Sequence, residues 1–255
     1  MYAQNTSTGI NEAIDALIVT KPNIKRFVVG IPHCGIYLPA NFPRSFGVSK
    51  VDDTDIGSEE IFDLTSAGGA VVISRVHRNA VDLNRIEIER NFAQTNRKTK
   101  QKKYHGKPLT MDEMLDMYAQ YHTPFYDAVG KLIDEDTLLI SGHTFNLTSK
   151  KYPGICVGDG NGANCSTEFQ KKFISNLEMA YSNVAKRLGA KGSLTEVWLN
   201  TPFTGNLGIT DYFTGCKNRL LIEVNRKLIT DDGKLVEGKV DLIKSCLVEA
   251  INHSL

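Results

Sequence analysis

His33 and Cys34 stand side by side in Gly30-Ile-Pro-His-Cys-Gly35, directly after the apolar run Arg26-Phe-Val-Val-Gly-Ile31. An imidazole there can ligate a metal, and a thiol beside a histidine can serve as a nucleophile. Adjacent residues on an extended chain point to opposite sides, so His33 is poorly placed to activate Cys34. A second histidine, His143, follows the apolar run Thr137-Leu-Leu-Ile-Ser141. Two histidines at strand ends, joined by one carboxylate, make a three-ligand site for catalytic zinc with a fourth position left for water. The acidic supply is Val51-Asp-Asp-Thr-Asp-Ile56, where helix capping competes with metal binding as the role of the aspartates.

Other groups can complete such a site. Glu223, inside Leu220-Leu-Ile-Glu-Val224, is costly to bury without a partner. It must face solvent, pair with a cation such as Arg226, or point into a polar site, where it would suit a general base. Asn84 and Arg85 in Val81-Asp-Leu-Asn-Arg85 offer an amide and a planar fork matched to a carboxylate. Asn200, in the turn-rich Asn200-Thr-Pro-Phe-Thr-Gly205, can hydrogen-bond a substrate or serve only a turn. His122 lies on a helical pattern and ranks as a packed or supporting histidine, while His77 and Arg78 carry no discriminating argument. Gly158-Asp-Gly-Asn-Gly162 lacks the Gly-Lys-Ser/Thr ending of a phosphate loop and is discounted.

The elements that must position these groups alternate. Strands are predicted at 26–31, 70–74, 137–141, 154–157, 193–198 and 220–224. Helices are predicted at 55–65, from the capping box Thr110-Met-Asp-Glu113 through Leu132, at 167–188 and at 240–252. Short apolar strands interleaved with helices indicate an α/β fold, a mixed and mainly parallel sheet covered on both faces. With no repeat or linker in residues 1–255, a single catalytic domain is expected, with a basic surface excursion near 91–109. In such sheets functional groups gather beyond the carboxyl ends of the strands, where His33, Asn84-Arg85, His143 and Glu223 fall.

Composition bounds the partners. Thirty Lys+Arg against 29 Asp+Glu give a net charge of +1, which offers no global field for nucleic acid or anionic membranes. The basic run at 97–103 has no aromatic interleaving for base stacking. The five cysteines are scattered and contain no Cys-x-x-Cys pair, which argues against a disulfide framework or zinc knuckle. With no basic-apolar leader and no apolar run of membrane length, a cytoplasmic protein is expected. Oligomeric state is left open by the sequence.

The motifs, taken in order, resemble the N-formylglutamate amidohydrolase family. They are Pro32-His-Cys-Gly35, Asp53-Thr-Asp55, Asp82-Leu-Asn-Arg85, Gly106-Lys-Pro-Leu109, Tyr121-His-Thr-Pro-Phe125, Ser141-Gly-His-Thr144, Gly158 to Cys165, Asn200 to Gly205 and Ile222-Glu-Val-Asn-Arg226. The resemblance implies a three-layer α/β/α sandwich similar to the zinc exopeptidases, with one zinc ion held by His33, a carboxylate of the Asp53/Asp55 pair (Asp55 favoured) and His143. It also implies Asn84 and Arg85 on the substrate carboxylate, Glu223 as general base, and hydrolysis of an N-acyl amino acid at its amide. Cys34 and Ser141 depart from the family pattern, which has serine and aspartate there. Those departures favour an alternative, a non-catalytic small-anion binding protein that keeps the fold.

Overall fold

The computed structural model describes residues 17–20, 26–39, 54–86, 110–147 and 151–255. The predicted basic excursion near 91–109 and Asp53 lie outside the described residues. Seven strands form one sheet in the order β1-β3-β2-β4-β7-β5-β6, with β1 Leu17–Thr20, β2 Phe27–Ile31, β3 Gly69–Ser74, β4 Leu138–Phe145, β5 Ile155–Gly158, β6 Val197–Leu199 and β7 Asn218–Asn225. The strands β3, β2, β4 and β7 run parallel, β1 and β5 pair antiparallel with them, and β6 runs with β5. A two-stranded ribbon, β8 Thr230–Asp231 and β9 Lys234–Leu235, stands apart.

Strand alternation divides the apolar residues between two layers. Phe27, Val29 and Ile31 pack with α1 (Ser58–Phe62), α4 (Thr167–Arg187) and α6 (Glu237–Ser254) through Ile61, Phe173, Leu177, Ile243 and Leu247. Val28, Ala70, Val72 and Leu139 face α2 (Met111–Met117), α3 (Thr123–Gly130) and α5 (Ile209–Tyr212) through Met114, Phe125, Val129 and Ile209. The result is the three-layer sandwich with a mixed sheet. Each fully buried Val, Leu or Phe contributes about 2 kcal/mol, so neither layer is dispensable.

Local chemistry explains the helix ends. The capping box at Thr110 forms in both directions: Glu113 N–H donates to Thr110 Oγ1 at 3.2 Å, and Thr110 N–H donates to Glu113 Oε2 at 2.8 Å. Ser166 caps α4, accepting from Phe169 N–H at 3.1 Å, and Gly189 follows its end with φ +67°. Between α2 and α3 the helix widens into a π-turn, Tyr118–His122. Pro124 has no N–H for the carbonyl four residues back, which favours a wider ladder ahead of it.

Several boundaries differ from expectation. The predicted helix 55–65 shrinks to Ser58–Phe62 plus a 3₁₀ turn at Thr65–Ala67. Asp55 N–H is drawn to His33 O at 3.0 Å, and Gly57 takes φ +83° where a Cβ would lie 2.7 Å from Ile229. Tertiary contacts thus hold residues 55–57 out of the helix. The predicted strand 193–198 splits into a 3₁₀ turn, Gly192–Thr195, and the short β6, with Leu194 O accepting from Tyr181 Oη at 2.5 Å. The sequence reading missed β1, and β4 runs four residues beyond its predicted end.

Candidate metal centre

The extension of β4 makes the site. Pairing of β2 with β4 stops at Gly30–Ser141, whereas pairing of β4 with β7 continues to Phe145–Asn225. One side of β4 is therefore open from Gly142 onward. The chain also reverses its direction of travel across the sheet here: β2 leads through α1 to β3 on one side, and β3 leads through α2 and α3 to β4 on the other. A switch point of this kind leaves a crevice at the strand ends. His33 lies just beyond β2. His143, expected after the strand, lies inside β4, beside Glu223 in β7 as its register partner. On β7, Leu220, Ile222 and Val224 enter the core with α4 and α6, so the alternation turns Glu223 to the opposite face and into the crevice.

His33, Asp55 and His143 are all buried, and one potential ligand atom from each lies within 4.8 Å of the others. His143 Nδ1 sits 2.8 Å from Asp55 Oδ2, and His33 Nδ1 lies 3.6 Å from the same oxygen. The two rings meet edge to face, with centroids 4.9 Å apart. His33 Nε2 is 2.7 Å from Asp82 Oδ1, and a carboxylate can only accept, so Nε2 carries the proton and Nδ1 a lone pair. That Nδ1 is buried and has no hydrogen-bond partner among the described residues. Burial penalises a polar atom left in this way, and a cation would satisfy it. Ser141 Oγ lies 2.9 Å from His143 Nε2, where a hydroxyl can donate or accept.

Charge states favour a metal. Burial pushes the Asp55 carboxyl upward, but the hydrogen bond with His143 and the charge interactions with His33 and His143 outweigh it and hold the group well below its ordinary value. Burial lowers His143 to about 4 against the pull of Asp55, leaving a neutral imidazole at pH 7. Two imidazoles and an ionised carboxylate form a donor set that fits a divalent transition metal with an open position.

The triad opens into a cavity of about 840 Å³ whose walls include Arg78, Asn84, Arg85, Glu223 and Arg226. Glu223 is buried, and its carboxyl is pushed well above the ordinary value by desolvation and by the Asp55 charge, with Arg78, Arg226 and Arg85 opposing. Arg226 is occupied elsewhere: its Nε donates to Thr144 Oγ1 at 3.2 Å, another nitrogen donates to Thr54 O, and Asp55 Oδ1 lies 3.7 Å away. Arg78 reaches Asp55 Oδ1 at 3.4 Å and Asp82 Oδ2 at 3.5 Å. Cavity and triad thus share one electrostatic network.

Asn200 lies elsewhere. Its side chain donates to Asp159 Oδ1 at 2.6 Å and accepts from Asp159 N–H at 3.0 Å, which pins the Gly158–Gly162 loop. The cavity wall nearby comes from Pro202 to Asn206. The Cys34 thiol donates to Ser74 O at 3.3 Å and packs against the core. The sequence reading assigns Asp82 no role and offers no argument to single out Arg78. Asp82 stood inside the quoted Asp82-Leu-Asn-Arg85 motif without a role, and the four-residue spacing from Arg78 was the available signal.

An α/β/α sandwich with this buried His–Asp–His group, a buried glutamate and guanidinium groups around one cavity has the equipment of a hydrolase able to take a metal ion. The comparisons make the family definite. The profile described as N-formylglutamate amidohydrolase matches residues 25–230, so the chain belongs to that family and is a hydrolase of C–N bonds other than peptide bonds. The fold is similar to that of an N-formylglutamate amidohydrolase from Ralstonia eutropha, with a TM-score of 0.72, 16% identity, and coverage of 94% of this chain and 97% of that one. It is also similar to a gene product from Agrobacterium tumefaciens, with a TM-score of 0.66, 19% identity and 94% of each chain covered. No curated protein matches by sequence.

Proposed function

We propose that this protein hydrolyses the amide of an N-acyl amino acid of the N-formylglutamate type, with one zinc ion held by His33, Asp55 and His143. The observation that carries the reading is the orphaned Nδ1 of His33, facing Asp55 and His143 at the floor of a cavity that also presents Glu223 and Arg85. A zinc ion bound there would supply Lewis-acid polarisation and lower the pKa of a water to about 7. The chain's own residues do the rest. Arg85 binds the substrate carboxylate through its planar fork, with Asn84 beside it, and so sets the scissile amide in register. Glu223 takes the proton of the attacking water and delivers it to the leaving amine. Its buried setting raises the carboxyl above its ordinary value, which makes it a stronger base than a solvated glutamate. No described helix is long and apolar enough to cross a membrane.

The test combines metal analysis with hydrolysis assays on N-formyl-L-glutamate and other N-acyl amino acids. Wild type should carry one zinc per chain and release the free amino acid. His143→Ala should lose the metal, whereas Glu223→Gln should keep it and lose at least about 100-fold in kcat. A wild-type protein that binds the anion but no metal, and cleaves nothing, would establish the non-catalytic binding alternative instead.

A further inference from the structure

Tyr118, His122 and Tyr126, spaced four residues apart through the π-turn and into α3, form a continuous stack of rings. The centroids of Tyr118 and His122 are 3.9 Å apart with planes inclined at 17°, and those of His122 and Tyr126 are 4.1 Å apart at 13°. Each ring also bonds one backbone carbonyl of the segment that carries Asn84 and Arg85. Tyr126 Oη donates to Leu83 O at 2.9 Å, His122 Nε2 lies 2.9 Å from Arg85 O, and Tyr118 Oη donates to Ile86 O at 3.2 Å. A carbonyl cannot donate, so His122 is present as its Nε2–H tautomer. The helix and the segment therefore run in opposite senses, with three ring donors meeting three nearly consecutive carbonyls.

From this arrangement we infer that the Tyr118–His122–Tyr126 stack is a latch that positions Arg85. The π-turn is part of the device. It widens the helix at Tyr118–His122, where two of the donors sit, and such turns concentrate at functional sites. The rest of the segment is fixed independently: Asp82 accepts from Asn84 N–H at 3.0 Å and holds His33, while Asn84 Oδ1 faces Ile209 N–H at 3.4 Å. Arg85 stands beyond those anchors, its Nη1 folded onto Asn84 O at 2.6 Å. The bond from His122 to Arg85 O governs the direction in which the guanidinium leaves the backbone. Burial holds His122 neutral near pH 7, with a pKa lowered to about 4, so the ring offers one donor and one acceptor and brings no second charge beside Arg85. These three residues are positioning residues, since none lines the cavity.

The inference rests on the proposed role of Arg85, and two readouts keep the two ideas separate. The variant His122→Phe preserves an aromatic ring in the stack and removes the donor; Tyr126→Phe does the same one turn on. Hydrogen exchange, which needs no substrate, should show the amides of residues 83–86 exchanging roughly fivefold faster in His122→Phe, as expected for one lost hydrogen bond of about 1 kcal/mol. The amides of β2 and β4 should be unchanged. With N-formyl-L-glutamate, KM should rise about five- to tenfold while kcat and zinc content stay within twofold, and His122→Gln, which restores a donor, should recover part of the KM. Unchanged exchange at 83–86 overturns the latch. So does a fall in kcat and metal content in step with KM, because that would mean general loss of structure. A faster-exchanging segment in a wild-type background that cleaves no N-acyl amino acid keeps the latch and removes the functional reading alone.

Discussion

At the scale of single residues, the two positions that depart from the family pattern have separable consequences. Ser141 stands 2.9 Å from His143 Nε2 with no exposure to solvent. A carboxylate there could only accept, fixing a protonated Nε2, whereas a hydroxyl serves either imidazole tautomer. The serine accepts either state: in this structure Nδ1 donates to Asp55, and the hydroxyl imposes only a weak bias toward the Nε2–H tautomer that would bind a metal through Nδ1. Ser141→Ala should weaken zinc affinity about tenfold, the lower end of what partners of metal-ligating histidines contribute. Competition with a chromophoric chelator measures this directly, and unaltered affinity would remove the role given to Ser141. Cys34 is a different case. Its thiol is spent on Ser74 O, and burial raises its pKa to about 12, so it is not a thiolate at neutral pH. Cys34→Ser keeps a donor for that carbonyl and should leave kcat/KM within about threefold. Complete loss of hydrolysis in this variant would revive the thiol mechanism.

At the scale of elements, β4 and the π-turn carry the site. The β4 extension depends on a close approach that only glycine permits. A Cβ at Gly142 would lie 2.5 Å from the ring of Phe62, between Ser141 and His143 on the strand. Gly142→Ala must displace Phe62 or the strand, at a cost of about 1–3 kcal/mol in overpacking. Urea unfolding should reveal that loss, and zinc affinity should fall with it because His143 rides on the displaced strand. A stable variant with native metal affinity would show that the strand can shift without moving its ligand. The capping box was legible because its bonds are local, made within three residues. The π-turn was not, because its width answers to both Pro124 and the carbonyls of residues 83–86.

For the whole molecule, stability links to pH through a group outside the His33–Asp55–His143 cluster. His122 has an ordinary value of 6.5, lowered by burial to about 4, so between those values the unfolded chain takes up a proton that the folded chain refuses. Its contribution is complete above about pH 6.5 and is lost as the pH falls toward 4, at up to about 1.4 kcal/mol per unit. Urea midpoints measured from pH 7 to 4.5 should decline more steeply in wild type than in His122→Phe. Parallel curves would show that this histidine does not sense the transition.

The sequence by itself determined what depends on chemistry type and local periodicity. It set two histidines and a glutamate at strand ends, an Asn-Arg pair beside them, alternating strands and helices, and a motif order that defines the family. Glu223 was legible because a lone carboxylate in an apolar strand demands an explanation, and period two then sends it to the face opposite its neighbours. Only the tertiary structure decided which groups meet. Asp55 left a plausible helix because His33 O claimed its amide, and His143 moved into the strand because β7 kept pairing after β2 had ended. Asp82 gained a role only when 49 residues of chain closed to a contact of 2.7 Å with His33, and Asn200 was drawn to Asp159 instead of the cavity. Such pairings are settled by the packing of distant segments, where the free energy of a buried polar group depends on the partner that the fold delivers to it.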